Sequence, residues 1–269
     1  MSKARELAFR YDLFITSDWR DRFDTLINEN IEIPFESQVL DVNCGTGAHS
    51  IELAERARGK GEVVGIDPGA ERVDLARAKA LAKKLDRVTF QQGITTVLPF
   101  PDDRFDIVIG EASMLSPGDI NGVLTEMVRV ARPEGRIVLK MTTRGSFDEF
   151  FSIYWEVLMS AGLVDDVWTA LEQLINERRT ISDSEMMTRQ AGLRNVKSVS
   201  SSEEFGFETG EAFLTSPLIE DVFLADWMAI VPELRRQEVR ERIVSIIDRE
   251  RYGAAFEVSI KATLLTGTK

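Results

Sequence analysis

Short apolar runs alternate with longer amphipathic stretches between residues 37 and 141. The runs are rich in Val and Ile and typical of strands buried on both faces, and they predict strands at 38–42, 62–66, 88–91, 105–109 and 136–141. Helical spacing in the intervening stretches predicts helices at 48–58, 70–85 and 119–131. Strands that alternate with helices predict an α/β fold on a parallel sheet.

The second of these helices has its apolar positions on one side. Val73, Ala76, Ala80, Leu81 and Leu85 recur at helical spacing and predict a stripe that packs against the core. Residues 1–30 predict a mostly helical arm, in which Tyr11, Phe14, Trp19 and Phe23 supply the apolar bulk.

Two insertions interrupt the strand and helix alternation after residue 141. Ser146-Phe-Asp-Glu149 and Ser182-Asp-Ser-Glu185 match the capping-box pattern and predict helix starts, and Gly162 predicts the end of the first helix. Further helices are predicted at 166–178, 217–230 and 233–248, and the last two strands at 195–200 and 255–265.

These elements predict one core with attached segments. The predicted order is a helical arm (1–36), a ligand-binding core (37–141), a helical cap insertion (142–181), a core helix and strand (182–202), a second helical cap insertion (203–251) and a last core strand (252–269). A chain of 269 residues is long enough to bury a sizeable core.

The stretch from Val39 to Ala54 carries the most specific chemistry. It predicts a strand, a glycine-containing turn and a helix that begins near Gly47. Gly45 and Gly47 permit a close approach of a ligand to the backbone, and Asn43 tolerates the left-handed conformation. The amides at the start of a helix attract anionic or polar groups, so this stretch predicts a nucleotide-type binding site.

Neighbouring residues narrow the type of nucleotide. The dinucleotide pattern requires a third glycine, whereas this chain has Ser50 there, and the Lys-Ser/Thr pair of a P-loop is absent. Asp67 closes the next predicted strand, twenty residues beyond Gly47, and a carboxylate at that place accepts hydrogen bonds from both ribose hydroxyls.

The segment Leu40-Asp-Val-Asn-Cys-Gly-Thr-Gly47, followed by Asp67, resembles the first motif and the ribose-binding acid of the class I S-adenosylmethionine (SAM)-dependent methyltransferases. Within them, the chain resembles the small-molecule, methyltransferase type 11-like group. The resemblance implies a Rossmann-like, doubly wound, seven-stranded and mostly parallel sheet in the order 3-2-1-4-5-7-6, with the seventh strand antiparallel. It also implies SAM as the cofactor, held by Asp41, Asn43, Cys44, Gly45, Gly47, Asp67, Pro68, Gly93, Ile94, Thr95 and Glu111.

Ile94 departs from the family pattern, which has an acid directly after the glycine of this loop. Isoleucine offers only apolar contact, and we expect it to lie against the adenine ring. Glu111 follows the fourth predicted strand, where residues of a parallel sheet line the ligand crevice. It binds the ammonium group of the cofactor, acts as a base toward the substrate, or is an exposed loop acid.

Composition excludes several other classes. A net charge of −12 disfavours a nucleic-acid partner. One cysteine and one histidine exclude an intramolecular disulfide and the usual zinc clusters, so no metal is expected. We find neither a signal-peptide pattern nor an apolar run of the roughly 18 residues that a membrane helix needs, and the expected location is cytoplasmic.

Methyl transfer needs positioning more than acid–base groups, and no catalytic residue is assigned from the sequence. Cys44 and His49 are interpreted as packing residues. The family resemblance suggests that the arm closes over the cofactor through Tyr11, Trp19 and Arg20. Aromatic residues of the two insertions are expected to form a cap with an apolar acceptor pocket; the side chains assigned to substrate are Tyr11, Trp19, Phe147, Trp155 and Phe207.

The predicted function is therefore transfer of a methyl group from SAM to a small, largely hydrophobic acceptor. Two alternatives stay open: a catalytically silent SAM-binding protein that acts through a partner, and a nicotinamide-dependent oxidoreductase, which the missing third glycine disfavours. The acceptor atom, any general base and the oligomeric state are not determined by the sequence.

Overall fold

The structure, a computed structural model, describes residues 2–34, 36–57, 61–250 and 254–269. The chain divides into two compact units. Unit 1 consists of Met1–Thr142, Thr180–Ser201 and Ala262–Lys269, and unit 2 consists of Thr143–Arg179 and Ser202–Lys261. Position 58, the predicted end of a helix, and positions 252 and 253, the predicted start of the last segment, lie outside the described residues.

A sheet and its flanking helices account for the described residues up to Thr143. The elements are β1 (Gln38–Val42), α3 (Ala48–Ala57), β2 (Glu62–Asp67), α4 (Ala70–Ala82), β3 (Val88–Gln92), β4 (Phe105–Glu111), α5 (Pro117–Val130) and β5 (Ala131–Thr143), preceded by α1 (Lys3–Arg10), a π-helix (Tyr11–Arg20) and α2 (Asp21–Asn30). The five predicted strands and three predicted helices of this region are confirmed, and so is the helical arm.

Later elements follow in the order α6 (Asp148–Ser160), α7 (Val164–Asn176), α8 (Ile181–Gln190), β6 (Arg194–Phe207), α9 (Gly210–Leu214), a π-helical turn (Ile219–Phe223), α10 (Leu224–Ala229), a 3₁₀ turn (Glu233–Arg235), α11 (Arg236–Glu250) and β7 (Phe256–Thr268). In the described part of the chain, seven strands form one sheet in the order β3-β2-β1-β4-β5-β7-β6. This is the predicted strand order.

Parallel pairing aligns the strand ends that carry the candidate site. β1 pairs with β2 and β4, and Val42 lies opposite both Ile66 and Gly110. The residues that follow these positions, Asp67 and Glu111, therefore reach the same edge of the sheet as the turn after Val42. This edge is where parallel sheets bind ligands.

β5 begins five residues before the predicted start, because Arg-Pro-Glu-Gly forms a bulge rather than a turn. Phe105 pairs with Ala131 and Ile107 with Arg136, so the register shifts between these pairs. Glu134 takes up the left-handed conformation inside the bulge, with φ of 62°.

The core stripe predicted for α4 is only partly correct. Val73, Ala76 and Ala80 are buried, but the Leu81 side chain is 79% exposed. Helical geometry explains the error, because Leu81 is rotated by about 100° from the face that Ala80 shares with the other two residues. The helix also ends at Ala82, before the predicted end at 85.

Neither predicted capping box forms. The residue that precedes α6 is Phe147 in the left-handed conformation, and Ser146 Oγ instead donates to Thr143 O and accepts from Lys261 N. The cap of α8 is Thr180, whose Oγ1 accepts from Asp183 N, two residues before the predicted Ser182. At α6 the predicted cap residue is engaged by other groups, whereas at α8 a different residue, Thr180, caps the helix. Gly162, with φ of 68°, follows α6 as predicted.

Unit 2 is organised around Trp227, which is 1% exposed. The Phe150 ring stacks on it at a centroid distance of 4.4 Å, and the Phe223 ring stacks at 5.5 Å. Tyr154 Oη donates a hydrogen bond of 2.7 Å to Trp227 O. Because these residues come from both predicted insertions, the two insertions form one body with a shared aromatic core.

Candidate active site

The turn between β1 and α3 has the backbone that the glycine pattern predicts. Asn43, Gly45 and Gly47 all have left-handed φ angles, of 58°, 60° and 77°. A Cβ atom on Gly47 would lie 2.7 Å from the Phe90 ring, so the helix start packs too closely on the sheet for a side chain. The turn therefore presents backbone groups of residues 43–47 rather than bulky side chains.

The Asp67 carboxylate anchors the turn. Its Oδ2 accepts from Gly45 N at 2.9 Å, and its Oδ1 accepts from Gly69 N at 2.8 Å. Arg72 adds a bond from Nε at 2.8 Å and lies with Nη2 2.6 Å from Oδ1. Asp67 is 3% exposed. A predicted ribose-binding acid thus stands beside the glycine turn with its charge already balanced by Arg72.

Two arm residues approach the same turn. Arg20 donates from Nη1 to Asn43 O at 2.9 Å and to Tyr11 Oη at 3.0 Å. A Cβ atom on Gly45 would collide with the Arg20 guanidinium and lie 2.9 Å from the Tyr11 ring. Burial raises the pKa of Tyr11, an effect that Arg20 opposes. Gly45 is therefore needed for the approach of the arm as well as for its own φ.

The π-helical winding accompanies this approach. In this ten-residue segment the hydrogen bonds run one residue further than in an α-helix, as in the bond from Asp21 N to Thr16 O. Thr16 Oγ1 lies 3.2 Å from Thr46 Oγ1 in the glycine turn. Wide helical turns of this kind are frequent at functional sites.

Glu111 lies in a buried network and is not an exposed loop acid. It is 2% exposed, and its Oε1 accepts from Ser113 N at 2.8 Å and from Ser113 Oγ at 2.5 Å. Its Oε2 lies 3.3 Å from Lys140 Nζ and 4.0 Å from Arg20 Nε. Trp19 Nε1 donates to Ser113 Oγ at 2.8 Å, which connects the arm to this network.

Lys140 and Asp24 form the second half of the network. Lys140 Nζ donates to Asp24 Oδ1 at 2.6 Å, and the lysine side chain is fully buried. Burial disfavours the charged form of Lys140, but Asp24 and Glu111 outweigh it and raise its pKa. Burial likewise opposes ionisation of Asp24, yet His49, Lys140 and Arg20 lower its pKa to about 2. Both groups are therefore charged at neutral pH.

Five buried polar atoms of this region form no hydrogen bond with any described residue. They are Arg20 Nη2, Asp41 Oδ1, Glu111 Oε2 and both ring nitrogens of His49. Asp41 uses its other oxygen to accept from Ser50 Oγ at 2.6 Å. Arg20 Nη2 is a donor that suits the carboxylate of a zwitterion, and the Asp41 and Glu111 oxygens are acceptors that suit its ammonium group, although Glu111 Oε2 also lies 3.3 Å from Lys140 Nζ. The amino-acid end of SAM has this chemistry, so the residues fit that cofactor.

Cys44 and His49 are buried at the turn. Burial raises the pKa of the Cys44 thiol well above its usual range, so the side chain is a neutral packing group. His49 Nδ1 lies 3.5 Å from Asp24 Oδ1. The distance places His49 in contact with the ionic network.

The loop after β3 carries the residues assigned to adenine. Gly93 N donates to Asp67 O at 3.1 Å, which fixes the start of the loop, and Gln92 Nε2 donates to Pro68 O at 3.1 Å. Thr95 is 6% exposed, whereas Ile94 is 67% exposed. Contact between Ile94 and adenine stays a prediction.

The side chains assigned to substrate lie in different surroundings. Trp19 and Phe147 are fully buried, and the Phe147 ring packs 5.2 Å from the Trp227 ring in unit 2. Phe207 contacts Phe213 at a centroid distance of 5.1 Å. Trp155 packs edge-on against Trp168 at 5.1 Å. Both tryptophans line a cavity of about 620 Å³ in unit 2, together with Asp148, Phe151, Ser152, Leu171, Glu172, Ile175 and Asn176. Their substrate roles stay predictions.

Sequence reasoning missed Asp24, Arg72, Ser113 and Lys140. A signal existed for one of them: Lys140 interrupts the apolar run Ile137-Val138-Leu139 of a strand that is buried on both faces. A charge at such a position requires a buried partner. Nothing in the sequence identifies that partner, because Asp24 lies 116 residues away.

Comparisons with known proteins show the family of this chain. A family model described as a methyltransferase domain matches residues 36–149. Demethylmenaquinone methyltransferase from Anoxybacillus flavithermus is 30% identical over 187 residues, which cover 66% of this chain and 77% of that protein. The chain belongs to the class I SAM-dependent methyltransferases, and its cofactor is SAM.

Solved structures support the fold. The YcgJ protein of Bacillus subtilis has a TM-score of 0.59 at 21% identity, over 93% of this chain and 98% of that one. Phosphoethanolamine N-methyltransferase 2 of Haemonchus contortus, in complex with SAM, has a TM-score of 0.54 at 13% identity, over 93% of this chain and 52% of that one. Family membership also decides against the nicotinamide oxidoreductase that the sequence left open.

Two further observations concern the described residues alone. Each helix among them is too short or too polar to cross a membrane. The same residues contain no group of three or more His, Cys, Asp or Glu side chains arranged to hold a metal ion.

Proposed function

We propose that the chain transfers a methyl group from SAM to a small acceptor with a largely apolar body. The observation that carries this proposal is the set of buried, unbonded polar atoms on Arg20, Asp41 and Glu111 beside the glycine turn. The apolar acceptor is supported by the aromatic core of unit 2 and by the name of the relative, demethylmenaquinone methyltransferase.

In this proposal, different residues around the turn bind different parts of the cofactor. Asp67 holds the ribose hydroxyls, and Arg20 binds the carboxylate of the amino-acid end. Asp41 and Glu111 bind its ammonium group, because both have a buried oxygen that accepts no hydrogen bond from the described residues. Ile94 covers adenine with its exposed side chain.

Bound SAM supplies an electrophilic methyl group on a sulfonium. The chain then has to position the acceptor, exclude water and hold the charges of the cofactor. Glu111 suits the last task better than that of a base, because Ser113 bonds one of its oxygens twice and Lys140 Nζ lies 3.3 Å from the other. An acceptor that needs deprotonation would draw its base from elsewhere.

The test of cofactor binding is calorimetric titration of Asp67→Ala with SAM, S-adenosylhomocysteine and NAD. Loss of the charge-assisted bonds to ribose should weaken SAM binding by about 1–3 kcal/mol, while NAD binds neither protein. Asp74→Ala is the matched control, since Asp74 lies on α4 with its side chain 73% exposed. Thermal melts of both variants separate a binding defect from unfolding. Unchanged SAM affinity in Asp67→Ala contradicts the assignment.

Turnover separates an enzyme from a catalytically silent SAM-binding protein. We expect S-adenosylhomocysteine to form when the protein is incubated with SAM and reduced naphthoquinones or other apolar hydroxyarenes. Intact SAM binding without any acceptor-dependent turnover across such a panel would favour the silent alternative.

The acceptor proposal concerns Trp155 and Phe207. Replacing either with Ala should weaken acceptor binding and leave SAM affinity nearly intact, because both lie in unit 2. An acceptor affinity equal to that of wild type in both variants would exclude these residues from the pocket.

A structure with bound SAM tests Ile94, whose side chain should contact adenine. An Ile94 side chain directed away from the ring would show the prediction to be wrong.

A further inference from the structure

Arg178 occupies an unusual place for a charged residue. It follows α7 in unit 2, and its side chain is only 9% exposed. The guanidinium carbon lies 5.1 Å from the centroid of the Phe147 ring and 5.8 Å from that of Phe223. An arginine is thus buried against the aromatic core of unit 2.

The donors of this guanidinium are poorly satisfied. Nε and Nη1 are buried and form no hydrogen bond with any described residue. The same is true of Nη1 of the neighbouring Arg179. Buried charged donors without acceptors are costly, and most native structures avoid them. Three such nitrogens on two adjacent residues indicate that this place takes an acceptor other than the described residues.

Glu177 does not supply it. Its Oε1 lies 3.2 Å from Arg178 Nη1, but no hydrogen bond forms, and its side chain is 30% exposed. Burial raises the pKa of Glu177, an effect that Arg178 opposes and Asp226 reinforces. Burial lowers the pKa of Arg178, which Glu177 only partly offsets. Arginine nevertheless stays protonated in proteins, so Arg178 keeps its positive charge in the aromatic surroundings.

We propose that Arg178, assisted by Arg179, anchors an anion subsite in unit 2 that takes the carboxylate of an aromatic or otherwise apolar organic acid. The guanidinium fork matches a carboxylate with two parallel hydrogen bonds. Phe147 and Phe223 provide an apolar surround for the body of such an acid. The inference rests on the proposed function in one respect, that this acid is the methyl acceptor; it narrows the apolar acceptor to one with an acidic group.

The first experiment compares two ligands on the wild-type protein. Naphthalene-2-carboxylate and naphthalene-2-carboxamide have the same size and differ in charge, and both are titrated by calorimetry in the presence of S-adenosylhomocysteine. We expect the carboxylate to bind at least about tenfold more tightly than the carboxamide, the scale of one charge-assisted pair. Equal affinities, or tighter binding of inorganic phosphate than of the carboxylate, overturn the proposal.

Variants of the anchor follow. Arg178→Met should remove the preference for the carboxylate, and Arg178→Lys should keep only part of it, because lysine retains charge but lacks the fork. Arg242→Met is the matched control: Arg242 lies in α11 of the same unit, and its side chain is 42% exposed. A preference that persists undiminished in Arg178→Met overturns the proposal. If that variant does not fold, the comparison of the two naphthalene ligands on the wild-type protein and on Arg178→Lys still tests the proposal.

SAM binding distinguishes this inference from the function on which it rests. Wild-type protein that binds SAM but does not discriminate between the two naphthalene ligands would refute the anion subsite alone. Protein that discriminates between them but does not bind SAM would refute the proposed cofactor site and leave the subsite standing.

Discussion

Replacing Lys140 with Met tests the buried ionic network most directly. The Lys140 ammonium group lies 2.6 Å from Asp24 Oδ1 and 3.3 Å from Glu111 Oε2, and its side chain is fully buried. Methionine is similar in length, so the substitution removes the charge while largely filling the space. Two buried carboxylates then lose their common cation.

The geometry sets the size of the effect. At an effective dielectric constant of about 20, the attractions of Lys140 to Asp24 and to Glu111 are about 6 and 5 kcal/mol at these distances. Much of this is offset by the desolvation of Lys140, and removing one partner of a buried pair typically costs about 3–5 kcal/mol. We expect Lys140→Met to lose about that much of the free energy of unfolding.

Asp24→Asn gives an independent figure for the contribution of the network to the free energy of unfolding. A pKa of about 2 for Asp24 is lower than the usual value by almost two units, which corresponds to about 2–3 kcal/mol. Lys140 keeps Glu111 in this variant, so the loss should be smaller than in Lys140→Met. The double variant should lose less than the sum of the single losses, because both substitutions remove the same interaction.

Urea denaturation followed by circular dichroism at pH 7 measures these differences. Equal m-values across the set are needed for the comparison. A Lys140→Met protein within about 1 kcal/mol of wild type would refute the reasoning, since it would show that the charges are solvated or paired elsewhere.

The pH dependence of stability tests whether the pKa of Asp24 is lowered in the folded protein. The folded pKa of Asp24 is depressed, so its contribution is present above the unfolded value of about 3.9 and is lost as pH falls toward 2. The stability difference between wild type and Asp24→Asn should therefore shrink between about pH 4 and pH 2. A difference that stays constant over this range would contradict the assigned pKa.

Four other substitutions have defined outcomes. We expect Gly45→Ala to lower the free energy of unfolding by about 1–2 kcal/mol, measured by urea denaturation, because alanine tolerates the left-handed φ of 60° poorly. The same variant should bind SAM more weakly in calorimetry. A variant as stable as wild type would contradict this geometry. Arg72→Met should tighten SAM binding by up to about fivefold, since Arg72 competes for Asp67 through a partly exposed ion pair worth about 0.2–1 kcal/mol. Weaker binding would instead show that Arg72 positions the carboxylate. Thr180→Ala should lower the free energy of unfolding by about 1 kcal/mol, whereas Ser182→Ala should leave it nearly unchanged. A larger loss in Ser182→Ala than in Thr180→Ala would show that Ser182 caps α8, as predicted from the sequence.

The sequence alone determined the features that depend on neighbours along the chain. Apolar runs and helical spacing located the strands and helices of the core, because each buried face imposes its own period. The turn with Asn43, Gly45 and Gly47 was predictable for a similar reason: left-handed backbone restricts the residue type at each position by itself.

The same local patterns failed where groups compete in space. Ser182 and Thr180 are both acceptable caps in sequence, and the structure selects Thr180, while Ser146 bonds Lys261 N instead of capping α6. Leu81 fits the helical pattern of α4 but is on the exposed side of the helix. A periodic pattern states which faces are apolar, and only packing shows which of them is covered.

The tertiary structure alone assembled the charged part of the site. Asp24 meets Lys140 across 116 residues, and Arg20 reaches Asn43 O from a separate helix. Such pairs cannot be predicted from either local segment. A buried charge indicates that a partner is needed, but it does not indicate where along the chain the partner lies. The sequence therefore predicted the cofactor turn and, through the family resemblance, the arm residues, whereas only the folded chain showed the buried charges of Asp24 and Lys140 beside them.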